Sequence, residues 1–220
     1  MIQRTDEQQQ SAEARWREAW LAGPQRTRWE ALPLQVGDAA PDLELPDATG
    51  APRRLSDFWS NGPLHLVFLR HFGCSCLAER WESLRDELPA YAEAGATTVA
   101  VCQAEPERAA AVAARRGYPL TLLCDPDRAA YATLGLLEGT VPQILHDFAW
   151  EPGDTTTGDE WLAARRDSER ALVDSPWQLP GEFVIAPGGR ITLAHRAQFC
   201  EDFPARGVVL GAIAAAGGKA

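Results

Sequence analysis

The chain has 220 residues, of which 45% are hydrophobic and 24% charged. These values suit one globular domain with additions, and they exclude disordered and collagen-like classes. Acidic residues number 31 against 21 basic ones, giving a formal net charge of -10. A nucleic-acid partner is therefore excluded, because binding to a phosphate backbone needs a cationic surface. Lys219 is the only lysine, so a Schiff-base mechanism within the fold is excluded as well.

The N-terminus and the cysteines together predict the cellular compartment. The N-terminus is polar and acidic, and no apolar run approaches the roughly 18 residues of a membrane span. We therefore expect a cytoplasmic protein without a membrane partner. Without a secretory signal, the cysteines are expected to be reduced thiols or a working redox pair rather than a disulfide framework. There are five of them: Cys74, Cys76, Cys102, Cys124 and Cys200.

Residues 1–33 are predicted to be an N-terminal helical extension. Trp16 and Trp20 are four residues apart within the segment 11–22, so they share one helix face, and Gly23-Pro24 ends the helix. This apolar face is expected to pack on the domain or on a second subunit. The second arrangement would make the protein a homodimer.

Residues 34–216 are predicted to form one α/β domain. Short apolar pieces between turn residues predict small hairpins over 34–58. Strand and helix patterns then alternate, which predicts parallel strands joined by right-handed crossovers. The predicted strands cover 64–70, 97–103 and 119–125, and the predicted helices cover 75–94, 106–117 and 128–134.

An irregular segment, 139–177, is predicted to be an insertion before the last hairpin. It contains a predicted helix over 159–172, and its tryptophans, Trp150, Trp161 and Trp177, are expected to form a lid or substrate wall or to pack the insertion down. Strands at 182–186 and 190–195 then form the hairpin, and a helix over 205–216 covers the sheet. The whole plan is a thioredoxin-like fold, with a central mixed sheet flanked by helices.

The motif HFGCSC follows the first long strand and opens a helix. A cysteine in the first helical turn points at unpaired backbone N–H groups, which lower its pKa, so Cys74 is the predicted nucleophile. Cys76 could share the chemistry through a disulfide across one residue. Such a ring is strained on a helix, because side chains two residues apart point to different faces. Alternatively, Cys76 turns into the core.

Three of the cysteines follow parallel strands, so Cys74, Cys102 and Cys124 are expected at the same edge of the sheet. Cys102, on the neighbouring strand, is the preferred candidate to resolve an oxidised Cys74. Cys200 is second, because its strand is expected to run the other way. In the alternative interpretation Cys102 and Cys124 are buried small apolar residues.

Two basic residues precede Cys74. His71 could stabilise the Cys74 thiolate or carry its proton, or it could be a polar residue at a strand end. Arg70 could bind a thiolate, a sulfenate or a substrate carboxylate through its guanidinium fork. Arg128 is expected on a solvated helix face and His65 in the packed core.

The Cys-x-Cys pair also raises the question of a metal. Cys74, Cys76 and His71 could chelate Cu(I) or Zn(II), but a closed zinc site needs four ligands and only one pair is visible. We therefore predict no resident metal or cofactor, and we keep a Cu(I) carrier as an alternative.

From about Val36 to Arg206 the chain resembles the peroxiredoxin-like branch of the alkyl hydroperoxide reductase/thiol-specific antioxidant (AhpC/TSA) family. The similarity runs through VGDAAPDLELPDATG, LVFLRHFGC, YPLTLLCDPDRAAYATLGL and QLPGEFVIAPGGRITLAHR. The attacking cysteine of that family falls on Cys74. The resemblance implies a thioredoxin-like fold, a peroxide or thiol/disulfide substrate, an antioxidant role, and a reductant of thioredoxin or glutathione type.

The chain departs from the family pattern at three positions. Typical members carry Pro-x-x-x-Thr-x-x-Cys, whereas Val67 and His71 stand at the proline and threonine positions here. The branch also carries Gly-Cys-x-x-Cys, so Cys76 comes one residue early. The groups that hold the peroxide are therefore altered.

Several residues before and after the last hairpin are expected near the reactive thiol. Pro180 stands where thioredoxin-like proteins carry a cis-proline, which implies a cis Leu179–Pro180 bond. The other candidates follow the hairpin and could reach the same edge: His195, Arg196 and Asp202.

Three functions remain open from the sequence. The first is a thiol-dependent oxidoreductase, in which Cys74 attacks peroxide or a substrate sulfur and a second cysteine resolves the product. The second is a protein of the same fold that binds Cu(I) or carries a redox signal. The third is a biosynthetic enzyme that reuses the thiol on a small metabolite, as the altered motif and the tryptophan-bearing insertion suggest.

Overall fold

The structure, a computed structural model, describes residues 6–144 and 174–217. Its centre is a five-stranded sheet with the order β5-β4-β3-β6-β7. A separate two-stranded hairpin precedes the sheet, as the turn-rich sequence predicts. The strands are β1 (Glu44–Pro46), β2 (Pro52–Arg54), β3 (Leu64–Phe68), β4 (Thr97–Cys102), β5 (Thr121–Cys124), β6 (Gly181–Ile185) and β7 (Ile191–Arg196).

The directions of the strands decide which residues meet at one edge. β3, β4 and β5 are parallel, β6 is antiparallel to β3, and β7 is antiparallel to β6. Two reversals make β7 point the same way as β3. The expectation that the strand before Cys200 runs the other way is therefore wrong, and the chain after β7 returns to the edge that carries Cys74.

The helices confirm most of the predicted segments. α4 has Pro106 in its first turn and ends at Gly117, whose φ of 64° is the left-handed conformation that glycine adopts easily. α5 begins where the Asp125 carboxylate accepts hydrogen bonds from three backbone N–H groups, at 3.0, 2.8 and 3.3 Å. The helices are α1 (Asp6–Ala22), α2 (Ser56–Trp59), α3 (Ser75–Glu93), α4 (Pro106–Arg116), α5 (Ala129–Thr133), α6 (Val141–Ile144) and α7 (Arg206–Ala215).

β3 is buried on both faces, as its continuous apolar run predicts. Leu64, Leu66 and Phe68 pack in one core layer, and Val67 packs in the layer on the opposite face. The strand is two residues shorter than the predicted 64–70. The Leu69 N–H still donates to the neighbouring strand, at 2.8 Å from the Val101 oxygen, but the chain then turns into the thiol motif. The predicted class, a mixed α/β sheet flanked by helices, is confirmed.

The N-terminal helix packs on the domain of its own chain. The Trp16 and Trp20 rings stack with centroids 5.5 Å apart, and Trp20 stacks on Trp177 at 4.4 Å. Trp177 Nε1 also donates to the Ala19 oxygen at 2.7 Å. Both helix tryptophans are buried in this contact. The helix face from which a homodimer was predicted is therefore buried within its own chain. Dimerisation stays a prediction, and this face no longer supports it.

Parts of the predicted insertion lie outside the described residues. These include the helix expected over 159–172 and both Trp150 and Trp161. The division into an extension, 1–33, and a domain, 34–216, stays a prediction. None of the helices in the described ranges combines the length and the apolar character that a bilayer span requires.

Candidate active site

Cys74 lies at the N-terminal end of α3. It is the residue before the first helical turn, with an extended backbone (φ −74°, ψ 137°), and its N–H donates to the His71 oxygen at 3.0 Å. The first N–H groups of a helix lack intrahelical partners and carry the positive end of the helix dipole. This position therefore favours the ionised, nucleophilic form of a reduced Cys74.

A disulfide joins Cys74 to Cys76 in the structure. The Cα atoms are 5.4 Å apart, within the range that disulfides need. The sequence argument against this ring placed both residues on a helix, where their side chains would diverge. Only Cys76 is helical, and the extended backbone of Cys74 brings its sulfur round to Cys76. Both sulfurs are buried.

Arg70 is the charged centre of the site. Its side chain is only 2% exposed. One nitrogen, Nη1, lies 3.3 Å from the Cys74 sulfur and 3.8 Å from the Cys76 sulfur, and it also contacts the Cys200 sulfur. The backbone oxygen of Gln178 accepts from Nε at 3.2 Å, and that of Pro176 accepts from Nη2. The guanidinium is thus held rigidly against three sulfurs.

The electrostatics of the guanidinium suit this role. Burial lowers the pKa of Arg70, and the nearby Cys200 and Glu201 oppose that shift. Arginine nevertheless stays protonated in proteins, because its ordinary pKa lies far above neutral pH. A buried positive charge beside sulfur stabilises the thiolate more than an exposed one would, because little water lies between them.

Cys200 reaches the site from the segment after β7. Its thiol donates to the Ile144 oxygen at 3.2 Å, and its backbone N–H donates to the Gln143 oxygen at 3.1 Å. α6 thus holds the cysteine in place. The parallel direction of β7 and β3 brings this segment back to the edge where α3 begins.

The segment that contains β3, Cys74 and α3 lies within a match to a known protein family. The family model of the AhpC/TSA family matches residues 36–194. The chain belongs to the AhpC/TSA family. As a member it is a peroxiredoxin-like, thiol-dependent oxidoreductase, and the metal-carrier alternative is not favoured.

Curated relatives of this AhpC/TSA protein carry peroxiredoxin names. One of them, Rv1608c of Mycobacterium tuberculosis, is 32% identical over 115 residues, which are 51% of this chain and 73% of that protein. Peroxiredoxin Bcp of Escherichia coli K12 is 28% identical over 104 residues, 47% of this chain and 66% of that protein.

Solved structures show the same fold. Peroxidoxin BcpB of Mycobacterium tuberculosis superposes with a TM-score of 0.57 at 22% identity, covering 83% of this chain and 96% of that one. A PrxQ mutant of Xylella fastidiosa gives 0.59 at 17% identity, covering 84% and 98%. These likenesses confirm the predicted thioredoxin-like fold.

The peroxide-positioning residues of this AhpC/TSA protein differ from the usual pattern. Val67 is an apolar side chain inside β3, and it packs in the core layer that also contains Cys74. His71 is fully buried in the turn before Cys74. Its proposed effect on the Cys74 thiolate stays a prediction, as does the role of Arg70.

Cys102 and Cys124 form a second pair of thiols. They are register partners at the ends of β4 and β5, and both are buried. The hydrogen bond between them raises the pKa of Cys102, with burial adding to the effect, and lowers the pKa of Cys124. They lie at the predicted edge of the sheet. The structure brings Cys200 to Arg70, whereas Cys102 lies beside Cys124.

The residues around the last hairpin have structural partners. The Leu179–Pro180 bond is trans, so the expected cis-proline is wrong. The trans form is the ordinary state of an X-Pro bond unless packing selects cis. Pro180 does lie near the thiols, since it lines a cavity of about 10 Å³ together with Arg70 and Cys76.

His195 and Arg196 lie at the end of β7. His195 Nε2 is 2.8 Å from the backbone oxygen of Asp202 and 3.3 Å from its carboxylate. Arg196 donates to the backbone oxygens of Leu134 and Leu34, at 2.7 and 2.6 Å. These contacts fasten the sheet edge to the surrounding loops. A part in substrate binding stays a prediction for Pro180, His195 and Arg196.

A buried ionic network next to Cys76 was missed by the sequence reasoning. Arg80, one helical turn after Cys76, donates to both carboxylate oxygens of Glu182, at 2.7 and 2.9 Å, and to Glu87 at 2.9 Å. His65, in the packed core as predicted, lies 2.9 Å from Glu182. The signal was the one glutamate in an otherwise apolar strand, because a buried carboxylate requires a cationic partner.

Other predicted residues lie away from the thiols. Arg128 does not lie on a solvated helix face: it precedes α5 with φ 58° and pairs with Glu138 at 2.5 Å. Within residues 6–144 and 174–217, no group of three or more His, Cys, Asp or Glu side chains is placed to hold a metal ion. The absence of a resident cofactor stays a prediction.

Proposed function

We propose that the protein reduces a peroxide with Cys74 as the nucleophile and Cys76 as the resolving thiol. The observation that supports this most is the position of Cys74, at the N-terminal end of α3 with the Arg70 guanidinium 3.3 Å from its sulfur. The N-terminal end of α3 and the Arg70 guanidinium both favour the thiolate form of Cys74. The thiolate is the form that attacks an O–O bond.

The chemistry then follows in two balanced steps. The Cys74 thiolate attacks one peroxide oxygen, so that an S–O bond forms, the O–O bond breaks, and the remaining oxygen leaves as an alcohol or water after taking a proton. Cys74 becomes a sulfenic acid. Cys76 then attacks that sulfur and displaces water, forming the disulfide that the structure contains.

A thiol reductant of thioredoxin or glutathione type would complete the cycle. One thiol attacks a sulfur of the Cys74–Cys76 disulfide and forms a mixed disulfide. A second thiol of the reductant then attacks that bond, so that both cysteines are released in reduced form and the reductant becomes a disulfide. We place the protein in the cytoplasm as part of this proposal, because a reducing compartment supplies such thiols. An antioxidant role would follow from peroxide removal.

The peroxide would be held by groups other than the usual threonine. The candidates are the N–H groups at the start of α3 and the guanidinium of Arg70, with His71 as the carrier of the proton. Arg70 also has the charge to stabilise the sulfenate and the departing oxygen.

Mapping the oxidised cysteines after one turnover tests this proposal. The fully reduced protein is mixed with one equivalent of hydrogen peroxide, and the disulfides are mapped by mass spectrometry. We expect one Cys74–Cys76 disulfide per peroxide consumed, complete loss of turnover in Cys74→Ser, and ordinary turnover in Cys124→Ser. Reduced Cys74 after peroxide treatment would overturn the proposal.

A substrate sulfur in place of peroxide is the second candidate. It is favoured by the Cys74–Cys76 pair itself, because a disulfide across one residue can pass oxidation to another dithiol. The same reduced protein is mixed with a small disulfide, and its rate is compared with that for peroxide. A faster reaction with the disulfide would assign the protein to thiol–disulfide exchange.

A further inference from the structure

The Cys74–Cys76 disulfide is closed off from solvent. Cys74 is 5% exposed and Cys76 is 1% exposed. The cavity beside Cys76 has a volume of about 10 Å³, which is roughly the space that one water molecule needs. Reduction requires a thiolate to touch one of the two sulfurs. A reductant therefore reaches this disulfide only after part of its covering moves.

One part of the covering is the segment 197–203, which we call the strap. It lies between β7 and α7 and contains neither helix nor strand. Cys200, in its middle, contacts the Arg70 guanidinium that also lies against both disulfide sulfurs. Phe203, at its end, lines the small cavity beside Cys76. The strap thus touches the thiol site at two points.

The Phe203 ring packs on a charged partner in α3. The Arg80 guanidinium carbon lies 5.5 Å from the centroid of the ring, which is within the range of a cation–π contact. Arg80 is in turn held by the Glu182 carboxylate at 2.7 Å. The half-buried ring therefore fastens the strap to the helix that begins at the disulfide.

The other attachments of the strap are hydrogen bonds near the surface. The Cys200 N–H donates to the Gln143 oxygen at 3.1 Å. Gln143 Nε2 donates to the Gln198 oxygen at 2.7 Å, and this second bond is exposed to solvent. His195 Nε2 lies 2.8 Å from the backbone oxygen of Asp202. Segments that are held by exposed hydrogen bonds and few buried contacts open at the lowest free energy.

The other described parts of the covering are held more firmly. Trp177 stacks on Trp20 at 4.4 Å and so fixes the neighbouring carbonyls that hold Arg70. In the first turns of α3, Leu77 is buried, and unwinding there would expose it and break intrahelical hydrogen bonds. Movement of the strap loses less buried contact than either of these changes.

We propose that the strap opens to admit a thiol reductant to the disulfide, with Phe203 and Cys200 as its latches. Opening lifts Phe203 from Arg80 and clears the cavity beside Cys76, while α3 stays folded. The incoming thiolate attacks one sulfur, the S–S bond breaks, and a second thiol of the reductant then releases both cysteines as it becomes a disulfide. This role rests on the proposed function, in which the disulfide is reduced once in every cycle.

Reduction of the isolated oxidised protein by dithiothreitol tests this role without any peroxide. Samples are quenched with acid, and free Cys74 and Cys76 are quantified by mass spectrometry. Because opening precedes attack, the rate should follow the population of the open form. Phe203→Ala removes a latch and should speed reduction at least about tenfold. Phe58→Ala is the matched control: Phe58 is also a half-buried ring over an arginine, in the other core layer, and should leave the rate unchanged.

A second variant weakens the strap at its other side and keeps the test decisive if Phe203→Ala does not fold. Gln143→Met retains the length of the side chain but loses the hydrogen bond to the Gln198 oxygen. It should speed reduction about threefold or more. A rate equal to that of the unchanged protein in either folded variant, or acceleration in Phe58→Ala, overturns the proposal.

Amide hydrogen exchange in the oxidised protein identifies the segment that moves. The Cys200 N–H, which is bonded to the Gln143 oxygen, should exchange faster in Phe203→Ala than in the unchanged protein. The amides in the first turns of α3 should keep their rates. Faster exchange in α3 with an unchanged Cys200 amide would make unwinding of the helix the route to the disulfide, and it would overturn the role of the strap.

The proposed function and the strap fail by different results. Faster reduction in Phe203→Ala, in a protein that consumes no peroxide, would overturn the proposed function and keep the strap as the gate of a thiol–disulfide exchange protein. Peroxide turnover together with equal reduction rates in the unchanged protein and Phe203→Ala would overturn the strap alone.

Discussion

The guanidinium nitrogen of Arg70 that lies 3.3 Å from the Cys74 sulfur also contacts the sulfur of Cys200. One buried charge therefore acts on both an N-terminal helix cysteine and a cysteine that is distant in sequence. The carbonyls of Pro176 and Gln178 hold the guanidinium in position. Whichever of the sulfurs ionises, the compensating charge is already in place.

Replacing Arg70 with methionine should slow the reaction of Cys74. Loss of the charge raises the pKa of the reduced Cys74 thiol, so alkylation by iodoacetamide at neutral pH falls about tenfold. The pH dependence of the alkylation rate measures this shift. Arg54→Met is the control, since Arg54 is an exposed arginine on β2. Equal pH profiles for Arg70→Met and the unchanged protein would contradict the role of Arg70.

Removing Cys76 should redirect the oxidised Cys74 to Cys200. In Cys76→Ser, one equivalent of peroxide should give a Cys74–Cys200 disulfide, because Arg70 contacts both sulfurs. Peptide mapping under non-reducing conditions identifies the bond. In the double variant that also carries Cys200→Ser, Cys74 should remain a sulfenic acid that dimedone traps. A disulfide to Cys102 would instead support the order of preference drawn from the sequence.

Truncating Trp177 should release the N-terminal helix. Trp177→Ala removes the stack on Trp20 and the hydrogen bond to Ala19, and the free energy of unfolding should fall by about 3–5 kcal/mol. Urea unfolding measures the loss, and limited proteolysis should cut within α1 first. Trp29→Ala is the control: Trp29 is 45% exposed, with a hydrogen bond to Gly135, and should cost about 1 kcal/mol. Equal losses in the two variants would argue against the tryptophan stack.

Stability should depend on the ionisation of Glu182 in acid. Burial opposes its charge, but His65 and Arg80 outweigh burial and lower its pKa below the ordinary 4.5. A carboxyl with a depressed folded pKa contributes stability above its unfolded pKa. That contribution is lost as the pH falls through the folded pKa.

Glu182→Gln tests this dependence. At neutral pH the variant should be less stable by about 3–5 kcal/mol, because Arg80 keeps a buried charge without its full partner. The difference should shrink as the pH falls below the ordinary glutamate range, since the unchanged protein then loses its own carboxylate. Urea midpoints over a pH series measure it. Glu44→Gln, at an exposed pair with Arg54, should change stability by less than about 1 kcal/mol at any pH. A constant difference for Glu182→Gln across the series would refute the assignment.

Much of the fold could be predicted because its signals are local. Pro106 and Gly117 mark the ends of α4 in the sequence, and the structure places the helix between them. The apolar run of β3 predicts a strand buried on both faces, and it is one. Its end was misplaced by two residues, because the turn into the thiol motif depends on contacts that Arg70 makes with distant backbone.

The candidate site was predicted only in part. Cys74, Arg70 and His71 are adjacent in sequence, so a pattern of residue types could propose them together. The ionic network of Glu182 and Arg80 was missed, since its members are separated by 102 residues. A single charged residue in a buried strand indicates that a partner exists, but it does not identify that partner.

The sequence by itself determined the alternation of strands and helices, the placement of Cys74 at a helix start and the resemblance to a family, because periodicity, turn residues and short motifs act over a few residues. Only the tertiary structure decided that Cys200, not Cys102, shares Arg70 with Cys74, that Cys74 and Cys76 can pair, and that Trp177 holds the first helix. These outcomes depend on strand direction and on long-range packing. Because β6 is antiparallel to β3 and the β6–β7 hairpin reverses the chain once more, Cys200 returns to the edge that carries Cys74. Nothing in the local sequence around Cys200 indicates this direction.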